Sequence, residues 1–170
     1  MITSKFRLTK MAAVAVAPLL AAAAHPGAAA QPTTAPSTTQ DLAKAPTTAA
    51  RTVDAFHAAL KGGDTKSALM FLSDDVLIFE SGAVESNRAE YEAHHLKADA
   101  EFSAATTRTR VSERITTAGE LTSVMRVELL RGSFRGRPIN SRSVETILLR
   151  NTASGWRIVH IHWSSANLKS

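Results

Sequence analysis

The feature that most constrains this chain is a change of hydrophobic period near residue 105. Before it, apolar residues recur at helical spacing; after it, they alternate. From Arg51 to Lys61, Val53, Phe56, His57 and Leu60 fall at i, i+3, i+4 and i+7, and Gly62-Gly63 ends that helix. Asp64 caps a second short helix through Phe71, followed by a β-rich run at Val76–Glu80 that stops at Ser81-Gly82. Asn87 and Glu90, three apart, make a cap and its reciprocal partner for a long helix over Arg88–Ala104, with Tyr91, His95, Ala98 and Phe102 on its apolar stripe. Then Thr106–Thr116, Thr122–Phe134, Ile139–Arg150 and Trp156–Ser164 read as four strands joined by Gly-containing turns, an antiparallel meander. Helices segregated from a sheet predict an α+β fold.

The first 49 residues follow other rules. Lys5, Arg7 and Lys10 precede an Ala-rich apolar run over Met11–Ala24, and Ala28-Ala29-Ala30 supplies small residues at a cleavage site. That is the plan of a secretory signal peptide over 1–30, too short and weakly apolar for a stable span. Residues 31–49, mostly Thr, Pro and Ala, read as a disordered tether, leaving a domain over 50–168. The expected location of the mature chain is the periplasm or the extracellular space.

Charge and cysteine content narrow the partners. The formal charge of +5 loses the three cations of residues 1–30 on cleavage and no acid, leaving about +2. A balanced mature chain gives no case for nucleic acid as partner. Zero Cys removes disulfides and thiolate metal sites. No phosphate-binding loop, dinucleotide fingerprint or nucleophile elbow appears. No cofactor or metal is expected.

The segment VDAFHAALKGGDTKSALMFLSDDVLIFESGAVESNRAEYEAHH resembles the opening of SnoaL-like and DUF4440-type domains of the NTF2-like superfamily. The ending SGWRIVHIHWSSA is similar to the last strand of the calcium/calmodulin-dependent kinase association domain. The resemblance covers about Ala50 to Asn167. It implies an NTF2-like cone: three N-terminal helices packed on a strongly curved antiparallel sheet, a pocket inside the cone, and an outer sheet face available for homodimerisation. The superfamily includes isomerases, dehydratases, cyclases and non-catalytic binding and scaffold domains, so the fold alone does not select a function.

Several constellations offer chemistry. His95 and Asp99 are four apart on one helix, so they share a face, and a carboxylate beside an imidazole suits a general base. Tyr91, the only Tyr of the chain, is placed to donate to a developing oxyanion. A His95–Asp99 pair that only fixes the helix against the sheet is the competing reading. Arg126 shares a strand face with Glu128, and Glu145 shares one with Ile147 and Leu149. These charges are either a solvated face or a paired polar pole of a pocket. Glu80 and Glu85 fall where the resemblance puts the cone mouth. His160 and His162 share a face of the last strand, raising a three-His metal site with His94 or His95. Alternation favours Val159, Ile161 and Trp163 inward and the two His outward, and puts Trp156 and Trp163 on opposite faces. His57 reads as a satisfied core histidine. The expected binding residues are therefore Glu80, Arg126, Glu145 and Trp163, for an unknown small molecule. The leading expectation is an exported small-molecule-binding domain, with an isomerase or dehydratase using His95, Asp99 and Tyr91 as the alternative.

Overall fold

A computed structural model describes residues 48–169; the expected signal peptide and nearly all of the expected tether lie outside them. Helix α1 (Ala49–Lys61) buries Val53, Phe56 and Leu60, the predicted stripe. Thr48 caps it, accepting from the Arg51 amide. Asp64 does the same for α2 (Thr65–Met70), accepting from Ser67. Strand β1 (Leu72–Glu80) starts earlier than the β-rich run suggested and pairs with a short strand β2 (Ala83–Glu85). Three residues are too few to show a period, which is why β2 is not legible in the sequence.

The expected long helix is two helices, α3 (Arg88–His94) and α4 (Leu96–Ala105), so the described residues hold four helices instead of three. Asn87 caps α3 through the Glu90 amide, and the Glu90 carboxylate returns to the Ser86 amide, one residue before the cap. The break falls at His95. There His94 and His95 both turn their Nδ1 atoms to Glu85 of β2. Neither Pro nor Gly stands at this break, and the two contacts to Glu85 are the local feature that coincides with it.

Strands β3 (Thr106–Ala118), β4 (Leu121–Phe134), β5 (Arg137–Thr152) and β6 (Gly155–Asn167) form the meander. The sheet has six strands in the order β2-β1-β6-β5-β4-β3. It is antiparallel except where β1 joins β6 in parallel, a pairing that the hairpin reading did not include. One face carries the core: Val124, Ile147, Leu149, Ile158 and Ile161 pack under α1 with Phe56 and Tyr91. Each such large side chain contributes about 1.5–3 kcal/mol by leaving water.

A bulge corrects the parity of the last strand. Leu149 pairs with Ile158 but Leu148 pairs with His160, so Val159 is the extra residue. Ile158 therefore joins Ile161 and Trp163 on the inward face, and Trp156 packs against the same core. Val159 is only half-buried. The two tryptophans share one face. His160 and His162 pair with Leu148 and Thr146 on the outer face, where Phe79 meets both imidazoles edge-on. His160 Nδ1 donates to the Leu77 carbonyl at 2.8 Å.

Where α4 runs into β3, the backbone of β4 passes so close that a Cβ on Gly132 would fall inside the radius of the Ala105 carbonyl oxygen. Both neighbours are backbone and cannot move aside cheaply. Gly132→Ala is expected to destabilise the domain by about 1–3 kcal/mol, read as a lower thermal midpoint with an unchanged far-ultraviolet spectrum.

Candidate functional site

A cavity of ≈ 80 Å³ opens between α1, α4 and the inward face of the sheet. Its apolar wall is Leu60, Phe102, Leu130 and Trp163; its polar groups include Glu80, Asp99, His57, Arg108 and Ser143. The last turn of α1 brings His57 and Leu60, and α4 presents Asp99 and Phe102 from one side. Glu80 ends β1 directly opposite Trp163 of β6.

Below this cavity lies Glu145, 2% exposed. Its Oε2 accepts hydrogen bonds from His57 Nε2 and Trp163 Nε1, both at 2.7 Å. A carboxylate only accepts, so Nε2 of His57 carries a proton. Trp163 stacks on Phe56, with centroids 6.4 Å apart, which fixes the indole that donates. Burial alone would push the Glu145 carboxyl up. The facing His57 and the bonds from His57 and Trp163 outweigh it, with Arg108 adding a smaller pull, and hold the pKa down at about 2. Glu145 Oε1 and His57 Nδ1 are buried with no hydrogen-bond partner.

The other inward charges of β3 and β4 are paired. Arg108 bonds Glu128, which is 2% exposed. Arg126, equally buried, bonds Asp54 and Glu113, each at 2.8 Å. Arg126 sits across from Glu145 in the ladder but spends its guanidinium on the opposite side. It therefore lies outside the cavity that Glu80, Trp163 and Asp99 share, in an adjoining opening with Asp54, Arg110 and Glu128. The solvated-face reading of Arg126, Glu128 and Glu145 is corrected: α1 covers that face and the charges are neutralised in pairs.

The expected His95–Asp99 contact is replaced by two others. Tyr91 donates its hydroxyl to Asp99 Oδ2 at 2.9 Å. His95 uses Nδ1 on Glu85; it caps the turn that carries Asp99, whose amide bonds the His95 carbonyl at 3.0 Å, but its ring is turned to β2. Asp99 is pushed above the usual carboxylate range by burial, only partly relieved by the Tyr91 bond and the charge of His95. Glu80 is pushed up too, first by burial and then by Asp99. Tyr91 is raised strongly, by burial first and then by Asp99 and Glu80. Asp99 raises Glu80 and both carboxyls face one cavity, so the ionisation of one bears on the other. The sequence pointed to Asp99, Tyr91 and Glu80, but not to their grouping. It undervalued His57, whose place on the α1 stripe was visible although its partner, 88 residues away, was not.

The family model for SnoaL-like domains matches residues 50–167. Among solved structures, a candidate ketosteroid isomerase from Shewanella frigidimarina is similar at 35% identity and a TM-score of 0.66, covering 68% of this chain and 94% of its own. A candidate dehydratase of the NTF2-like family from Streptomyces avermitilis is similar at 19% identity and a TM-score of 0.55, over 70% of this chain and 92% of its own. The CaMKII hub of S. rosetta is similar at 19% identity and a TM-score of 0.56, over 69% and 93%. No curated protein matches the sequence.

The depressed Glu145 carboxyl gives a signed pH dependence. Its contribution is present above the ordinary carboxylate range and is lost as pH falls from about 4.5 to about 2. Denaturant midpoints across that window are expected to fall in the native protein by an amount that Glu145→Gln removes, roughly 2–4 kcal/mol. Parallel curves for the two proteins would contradict the His57–Glu145–Trp163 arrangement.

Proposed function

The chain belongs to the SnoaL-like domain family, and on that premise we propose that it is an exported, strongly curved cone that binds a small uncharged molecule and moves protons on it, in the manner of an isomerase or dehydratase. The observation that carries this reading is the Glu80–Asp99 pair: two carboxyls on one partly apolar cavity, each raised by burial and Glu80 further raised by Asp99, with Asp99 holding the hydroxyl of Tyr91. Glu80, whose ionised form Asp99 disfavours, is the acid, and Asp99, whose ionised form the Tyr91 hydroxyl supports, is the base beside it.

The charge pattern supports an uncharged ligand. The one Arg of the lining, Arg108, is matched by Glu128, and His57 spends its Nε2 on Glu145, so an anionic group would meet no free Arg or Lys there. A volume of ≈ 80 Å³ suits a group of a few heavy atoms or one end of a longer molecule. The ionised carboxyl takes a proton from the carbon beside a carbonyl, and the protonated one donates to the carbonyl oxygen. Returning the proton to another carbon isomerises the molecule; losing a β-hydroxyl as water dehydrates it. The similarity to a candidate ketosteroid isomerase favours this class, while the small cavity favours a compact substrate.

The reaction class is tested with cyclohexanone in deuterium oxide, following α-deuteration by NMR. The protein is expected to accelerate exchange, and Asp99→Asn to reduce that acceleration by about 10²-fold or more. No acceleration over buffer, with several small cyclic ketones showing no binding, would remove the reading. Because Asp99 is held buried against its preference, the same variant is expected to raise the thermal midpoint at neutral pH.

A second reading, self-association through the outer sheet face, has its own support. Val144 and Phe79 are exposed there, 45% and 36%, beside His162. Val144→Glu is expected to shift a homodimer to monomer in sedimentation at micromolar concentration; a native monomer at that concentration would count against the interface.

A further inference from the structure

We propose that Glu85 and His95, with one water held between them and the Glu80–Asp99 pair, form a proton path from the cavity to solvent, in which His95 hands the proton to bulk water. The inference rests on the proton-transfer reading above and adds the route by which the carboxyl pair is reset.

A second cavity, of ≈ 10 Å³, adjoins the first. Glu80 and Asp99 line both, so the carboxyl pair stands between them. The remaining polar lining of the small cavity is Tyr91, Glu85 and His95. That volume is about one water sphere, and a buried water is stable where two to four polar groups can hold it. A single water there meets more polar partners than it can use, and none of the lining residues is Lys or Arg.

His95 is the group of this set that opens outward: its side chain is 42% exposed, while that of Glu85 is 7% exposed. Glu85 accepts from His95 Nδ1, which fixes that nitrogen as the one bearing hydrogen and leaves Nε2 to exchange protons. The second Glu85 oxygen is held by His94 Nδ1 at 3.2 Å, so the carboxylate cannot swing away. Inward, His95 Nε2 takes a proton from bulk, Nδ1 passes its own to Glu85, and the water carries one on to the carboxyl pair; outward, the same steps run in reverse and Nε2 releases the proton to bulk. One inward and one outward transfer leave each group as it began, so the path turns over. The break between α3 and α4 at His95 then has a use, because it lets the ring face Glu85 instead of Asp99.

The path is read without a substrate through the Tyr91 hydroxyl proton, which sits on Asp99 and belongs to the only Tyr of the chain. Its exchange with water at pH 7 is followed by proton NMR in the native protein and in His95→Gln, whose amide keeps a donor to Glu85 but cannot carry a proton. Exchange is expected to slow by at least about tenfold in the variant and to recover with added imidazole. Destabilising the domain would speed exchange, so slowing cannot come from partial unfolding. Equal rates in both proteins, a resonance lost to fast exchange in both, or slowing that imidazole leaves unchanged would overturn the relay. Failure of the ketone assay alone would instead count against the reaction class and leave this result standing.

Discussion

The inward row of β4 and β5 puts Arg126, Glu128 and Glu145 beneath α1, each 2% exposed, and the site depends on how that charge is neutralised. Charges taken out of water must be paired, and here each is. Arg126 is matched by Asp54 and Glu113, Glu128 by Arg108, Glu145 by His57 with Trp163. These pairs tie α1 and the edge strand β3 to the sheet centre. Neutralisation is complete at that end of the cavity and incomplete at the other, where Glu80 and Asp99 face each other. In the proposed function this imbalance is what lets the cavity move protons: a structural ion pair has no proton to spare, whereas two coupled carboxyls do.

The two ends also differ in rigidity and access. The Glu145 end is anchored by a stacked indole and a half-buried imidazole. The carboxyl end is bordered by β2 and by the break at His95, an edge of the sheet with an exposed imidazole within it. Holding two carboxyls out of water is a cost to stability that natural sequences keep where function requires it.

The sequence made the frame legible because the change from helical to alternating spacing is strong and the caps at Asp64 and Asn87 are local. The last-strand motif and the helical opening carried the family. What escaped depends on contacts distant in the chain. The bulge at Val159 reversed the parity that separated the tryptophans, and nothing near it signals an extra residue. The helix break at His95 coincides with a contact to Glu85, on a strand too short to show a period. For the same reason His95 and Asp99, correctly placed four apart, do not form the expected pair. Glu145 was singled out, but its partner was not, since a lone His on an apolar helix stripe does not reveal a carboxylate beneath it.

The central claim is that Glu80 and Asp99 are coupled carboxyls whose neutral forms burial favours. Carboxyl carbon-13 titration of the native protein, with Glu80→Gln and Asp99→Asn for assignment, tests it directly. The account predicts two coupled transitions, at least one well above the ordinary carboxylate range, and a return of the remaining group toward that range when its partner is replaced. Two independent transitions at ordinary carboxylate values would contradict it.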